Sequence, residues 1–206
     1  MASNQEFVIG GVTLGIKANN GVVLASEKRV VYGYTILSKS AKKVYALNNR
    51  IGIAFTGLVG DMQTLTKRLR SLIQLYELEN NSEMLVRSAA KLLGNILFES
   101  RFAPYLTQTL IAGRDSEGFH LFSLDVLGSV LEEAFTAIGS GAPIAIGILE
   151  SEYKEDINIQ DSIALARKAI MGALSRDIGS GDGVDILIID SDSMKEESQI
   201  LRGLQA

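Results

Sequence analysis

A chain of 206 residues with 47% apolar content is long enough to bury a core, and with no Pro-, Gly- or Ser-rich linker it reads as one domain. Its 20 basic and 24 acidic residues are mixed without a basic block and leave a net charge of −4, which argues against nucleic acid as the main partner. With no cysteine there is neither a disulfide, a thiolate metal site nor a Cys nucleophile, and a single histidine, His120, excludes a His-ligand cluster.

The first ten residues, MASNQEFVIG, have no basic start and no apolar run of signal-peptide length. No later stretch reaches the roughly 20 apolar residues of a membrane span. A soluble, cytoplasmic protein is expected.

In chain order, Val12 to Lys17 and Val22 to Ser26 alternate as a hairpin around Asn19-Asn20-Gly21, residues that tolerate positive φ. Tyr34 to Ser38, Lys43 to Leu47 and Ile51 to Phe55 extend this into an expected antiparallel meander. At Gly57 the period changes. Asp61 is placed to cap a helix with Leu65, Leu69, Leu72, Ile73 and Tyr76 inward and Lys67, Arg68 and Arg70 outward. Asn80-Asn81-Ser82 ends it, and a second helix carries Leu85, Ala89, Leu92, Leu93 and Ile96 on one face before Pro104.

Strands resume at Leu106 to Ala112, Phe119 to Leu124 and Leu131 to Ala137, and His120 alternates within the second of them as a structural side chain. Helices are expected over Pro143 to Tyr153 and Asp161 to Arg176, the latter capped by Asn158 with Ile163, Ala166, Ile170 and Leu174 inward. Val184 to Ile189 closes as a buried strand, with an edge over Gln199 to Arg202. One-sided helices and sheets that each need cover predict an α+β fold, a four-layer αββα sandwich of two stacked sheets between helical layers.

There is no P-loop and no dinucleotide fingerprint, and the carboxylates of Ile148 to Asp156 read as a solvated helix end rather than a metal site. What remains is a set of small polar motifs at strand ends: Glu27-Lys28-Arg29, Lys42-Lys43, Thr56-Gly57-Leu58-Val59-Gly60-Asp61, Gly139-Ser140-Gly141-Ala142 and the run from Arg176 to Gly183. Singly, each reads as a turn or a surface ion pair.

In order and spacing, GVVLASEKR, AKKVYAL, TGLVGDMQTL, AIGSGAPIAIGILESEY and RDIGSGDGVDILIID resemble the β-subunits of the 20S proteasome, archaeal type, from Gly10 to about Ile189. The α-subunit type is disfavoured by the lack of its N-terminal helical extension. The resemblance implies the N-terminal nucleophile hydrolase sandwich, and residues 1–10 as a propeptide-like extension of a domain over 11–206. It implies seven-membered rings with α-subunits and other β-subunits, fed with unfolded proteins by an ATP-driven unfoldase. It implies no metal and no organic cofactor.

Active members of that family begin, after self-cleavage, with a threonine whose hydroxyl attacks the peptide carbonyl and whose α-amine is the base. Carried over, Lys43 is the buried lysine beside the nucleophile, Glu27 its acidic partner, and Gly57 the oxyanion-hole N–H. Ser140, Asp177 and Ser180 are the polar group at the N-terminal amine, and Val30 and Phe55 line an apolar first specificity pocket. Placing Leu14-Gly15-Ile16 on the family's apolar-Gly-Ile run puts the nucleophile at position 11, which here is Gly11, without a hydroxyl. Thr13 lies roughly 6.5 Å further along the strand, too far to substitute.

Two expectations follow. In the first, the chain is a non-catalytic β-subunit working beside an active paralogue, a reading that Val12 supports because active members usually carry a small hydroxyl residue there. In the second, it is a threonine protease subunit whose threonine has been replaced by glycine through an engineered, inactivating change, which leaves the propeptide uncut.

Overall fold

The computed structural model describes residues 10–201 of the chain. The extension expected over residues 1–10 therefore lies outside the described residues except for Gly10, as does Arg202 of the expected edge strand.

Two five-stranded antiparallel sheets form the centre of the molecule. The first runs in the order β10 (Phe135–Ile138), β1 (Thr13–Ala18), β2 (Gly21–Glu27), β11 (Gly183–Asp190) and β12 (Met194–Ile200). The second runs β5 (Val44–Ala46), β6 (Ile51–Gly57), β7 (Thr107–Asp115), β8 (Gly118–Leu124) and β9 (Val130–Glu132). A separate ribbon pairs β3 (Val30–Tyr32) with β4 (Thr35–Ser38).

Strand alternation sorts the apolar side chains into separate cores. Val22 and Leu24 of β2 and Leu187 and Ile189 of β11 face the second sheet, where they meet Ala54, Leu110 and Leu121. Val23, Ala25, Val184, Ile186 and Ile188 face the other way, against α3 (Ala142–Glu152) and α4 (Ile159–Leu174). On the second sheet Ile51, Ile53 and Phe55 point outward to α1 (Val59–Asn80) and α2 (Val86–Glu99). Strands buried on both faces between two helical layers make the αββα sandwich that the pattern predicted.

Five local expectations are corrected. The expected early meander is divided: β1 and β2 belong to one sheet, β3 and β4 form the ribbon, and β5 and β6 belong to the other sheet. The expected strand Leu131 to Ala137 is two strands in different sheets. The Glu133 N–H still donates to the Leu121 carbonyl at 3.0 Å, whereas the Ala134 carbonyl accepts from Lys17 at 2.7 Å.

Asp61 is not the helix cap. The helix starts at Val59 after Leu58, so Asp61 falls in the first turn, and its carboxylate accepts the Leu106 N–H at 2.8 Å. Arg70 does not face away; its guanidinium donates to the Ala46 carbonyl at 2.5 Å. The edge strand is longer than expected and begins at Met194. The helix stop at Asn81 holds, because this residue adopts the left-handed conformation (φ 48°) that asparagine tolerates. Asn158 caps α4 by accepting the Asp161 N–H at 3.0 Å.

Candidate active site

Gly11 lies two residues before β1, at the sheet end where β2 finishes with Glu27. Its φ of +117° is open to glycine and strained for an L-residue with a side chain. A Cβ there would lie 2.6 Å from Glu27 Oε1 and 3.0 Å from Lys43 Nζ. A side chain at position 11 thus emerges onto the Glu27–Lys43 pair.

That pair is buried. Glu27 has no exposed surface and Lys43 is 2% exposed. The Lys43 ammonium donates to Glu27 Oε1 and, at 2.6 Å, to the Arg29 carbonyl. Glu27 Oε2 accepts the N–H groups of Arg29 at 2.5 Å and Gly181 at 3.1 Å. Burial pushes the Glu27 carboxyl above its ordinary value, opposed by the Lys43 charge and these hydrogen bonds.

A second arm reaches the backbone of Gly11. Its N–H donates to Ser140 Oγ at 3.0 Å, and the Ser140 hydroxyl donates to Asp177 Oδ2 at 2.8 Å. Ser180 donates to the same carboxylate oxygen, and the Gly179 N–H to Asp177 Oδ1 at 3.2 Å. The Gly11 carbonyl accepts from Gly141 N–H at 3.2 Å. Gly139 (φ +95°) makes this approach possible, since a Cβ on it would lie 2.2 Å from the Gly11 oxygen.

Gly57 ends β6 opposite Thr107. The preceding Thr56 methyl group would meet a Cβ at Gly139 at 2.8 Å, which brings this strand end beside Gly11. Val30 is half-buried at the start of β3, whereas the Phe55 ring has no exposed surface and faces the helical layer with Tyr45 edge-on at 6.3 Å. Any pocket wall formed by Phe55 lies behind other atoms.

Thr13 is buried with its hydroxyl engaged, donating to the Phe55 carbonyl at 2.8 Å and 2.6 Å from Ser26 Oγ. His120 lies elsewhere, between Glu132 at 2.8 Å and Asp115 at 3.4 Å. Among the described residues no group of three or more His, Asp or Glu side chains is arranged to hold a metal, and no helix is long and apolar enough to cross a membrane.

Arg29 and Gln108 were not assigned from sequence. Arg29 Nε donates to Asp182 at 2.7 Å, and Arg29 Nη1 to the Ile178 carbonyl at 3.1 Å, tying β2 to the loop that bears Asp177 and Ser180. Gln108 accepts the Gly139 N–H at 2.9 Å from the other sheet. The position of Arg29 in the Glu27-Lys28-Arg29 motif was a usable signal for the first; nothing local signalled the second.

The arrangement places a buried ammonium and a hydrogen-bonded serine–aspartate relay around one backbone position. An ammonium there favours a deprotonated hydroxyl at position 11, and the relay grips the nitrogen of the same residue. In this chain that residue has no hydroxyl, and its nitrogen is a peptide amide joined to Gly10, without the free lone pair of an amine.

The proteasome subunit family matches residues 8–189. A protein of Thermofilum pendens named proteasome subunit beta 2 is 45% identical over 199 residues, covering 97% of this chain and 98% of its own. Proteasome subunit beta 2 of Caldivirga maquilingensis is 47% identical, with 95% and 98% covered. Proteasome subunit beta 1 of Hyperthermus butylicus is 43% identical, also with 95% and 98% covered.

Proposed function

The chain belongs to the proteasome subunit family, among its archaeal-type β-subunits, and from that premise we propose that it is a non-catalytic β-subunit in which Gly11 occupies the nucleophile position. The supporting observation is the direction of the missing side chain: a Cβ on Gly11 would point onto Lys43 and Glu27, yet glycine supplies no hydroxyl to activate. The base is missing too, because the nitrogen held by Ser140 is an amide. Without self-cleavage the chain keeps residues 1–10.

In this reading the subunit closes a seven-membered ring with α-subunits above it and an active β paralogue beside it. It forms part of the chamber wall in a cytoplasmic machine that degrades unfolded proteins delivered by an ATP-driven unfoldase. The names of the relatives, numbered beta 1 and beta 2, support more than one β chain. The strain at Gly11 supports a site settled around glycine, since φ of +117° and a 2.6 Å approach to Glu27 both oppose threonine.

A second reading, a catalytic subunit in which threonine has been replaced by glycine, is supported by the unbroken chain Gly11–Ser140–Asp177–Ser180 and the intact Lys43–Glu27 pair. One experiment separates the two: fluorogenic-peptide hydrolysis by particles whose only β chain is this one, before and after Gly11→Thr. The non-catalytic reading expects both to be inactive, with intact mass showing an uncut chain from Met1. Strong activity and a new terminus at position 11 on that single change would establish the second reading instead.

A further inference from the structure

At the end of the sandwich away from Gly11, the two sheets part around a cavity of about 300 Å³. The register fixes this separation: Glu27 pairs with Val184 at the Gly11 end of β2 and β11, and Gly21 with Asp190 at the other. The β11–β12 turn and the β5–β6 turn flank the cavity, with Leu187 and Met194 as apolar lining and the Asn49 amide and Arg114 as polar lining.

Arg114 stands at the end of β7, and only its backbone is engaged, donating its N–H to the Arg50 carbonyl at 3.1 Å. Its guanidinium Nε is buried without a hydrogen-bond partner, and among the described residues its side chain makes no ion pair. Every other described arginine that is buried or half-buried has a partner: Arg29 with Asp182, Arg50 with Glu77, Arg70 with the Ala46 carbonyl and Arg167 with Glu197. Arg114 is half-buried, and a guanidinium whose Nε is buried without an acceptor is incompletely satisfied; its planar fork matches a carboxylate or a phosphate.

The two acidic side chains on the cavity lining do not fill that role. Glu196 is held by Lys42 at 2.5 Å, and Asp192 sits on the exposed turn, accepting the Ser191 hydroxyl at 3.1 Å. We propose that this cavity is an oxyanion site, in which the Arg114 fork takes a carboxylate or phosphate group with the Asn49 amide beside it. A ligand there touches both sheets and braces the two turns against each other. The group comes either from a free small anion or from an acidic side chain of a neighbouring subunit.

The test is a titration of the full chain with inorganic phosphate at fixed ionic strength, read by 31P line width, with acetate as competitor. Saturable broadening is expected in the wild type, reversed by acetate, absent in R114Q and weakened about tenfold in R114K, which keeps the charge but loses the fork. R114Q retains the fold because among the described residues the replaced side chain has no partner to lose, and a wild-type unfolding midpoint in phosphate-free buffer checks this. Repeating the titration on assembled particles distinguishes the sources: persistence of the site identifies a free anion, and its loss on assembly identifies a neighbour's carboxylate. Broadening that does not saturate, or that is equal in R114Q, overturns the proposal.

Discussion

The backbone N–H of Gly11 donates to the hydroxyl of Ser140 at 3.0 Å, across 129 residues of sequence. Ser140 is itself oriented by Asp177, so the relay fixes where position 11 sits. Ser140→Ala removes the acceptor and leaves the amide without a partner. A loss of about 1 kcal/mol in urea unfolding is expected, with faster hydrogen exchange at the Gly11 amide.

Replacing Gly11 itself tests the strain. Gly11→Ala forces an L-residue into φ +117° and a Cβ to 2.6 Å from Glu27. The backbone effect alone is about 1–2 kcal/mol, and the contact adds to it. Gly60→Ala, where a Cβ meets nothing within 4 Å in the first turn of α1, is the control and should leave stability unchanged or slightly raised. Equal effects at the two positions would contradict the described geometry.

Lys43→Met leaves the Glu27 carboxylate buried without its ammonium. Removing one partner of a buried pair destabilises by roughly 3–5 kcal/mol at neutral pH. The sign of the pH dependence follows from the raised Glu27 pKa: the folded state holds that proton more tightly, so stability falls as pH rises through the folded value. The variant's deficit should therefore shrink as the solution is acidified toward the glutamate range. Denaturant midpoints between pH 4 and 8 measure this, and a deficit that grows on acidification would rule it out.

Much of this organisation was readable because the responsible groups lie close together in sequence. Asn19-Asn20-Gly21 sets the first hairpin, Asn81 takes the left-handed stop, and Asn158 reaches only to Asp161. Leu131 to Ala137 misled because VLEEAFTAI contains no turn residue; the break at Glu133-Ala134 is dictated by which sheet each carbonyl and N–H can reach. Asp61 looked like a cap because the residue competing for its carboxylate, Leu106, is distant in sequence. The motif pointed to Arg29, but its partner Asp182, like the link of Gln108 to Gly139, was hidden for the same reason.

Asn158→Ala isolates the cap that was legible. It removes the side-chain acceptor of the Asp161 N–H, and about 1 kcal/mol is expected, measured by thermal or urea unfolding. Asn158→Asp should retain most of the stability.

The clasp at the far edge of the second sheet supplies an opposite pH signature. His120 and Arg87 both contact Glu132, and the hydrogen bond from His120 holds its carboxyl below the ordinary glutamate value. Stability from this group is present above that ordinary value and is lost as pH falls through the folded one. Glu132→Gln should flatten that part of the acid limb by lowering stability at neutral and alkaline pH while leaving the most acidic end unchanged, as followed by denaturant midpoints across an acid titration.

The strand break after Glu132 makes these two regions mechanically continuous. β9 is fastened to the second sheet beside His120, the chain changes sheets within the next two residues, and β10 delivers it to Gly139-Ser140. The segment is therefore one short covalent arm that joins the β9 edge of the second sheet to the serine that grips Gly11.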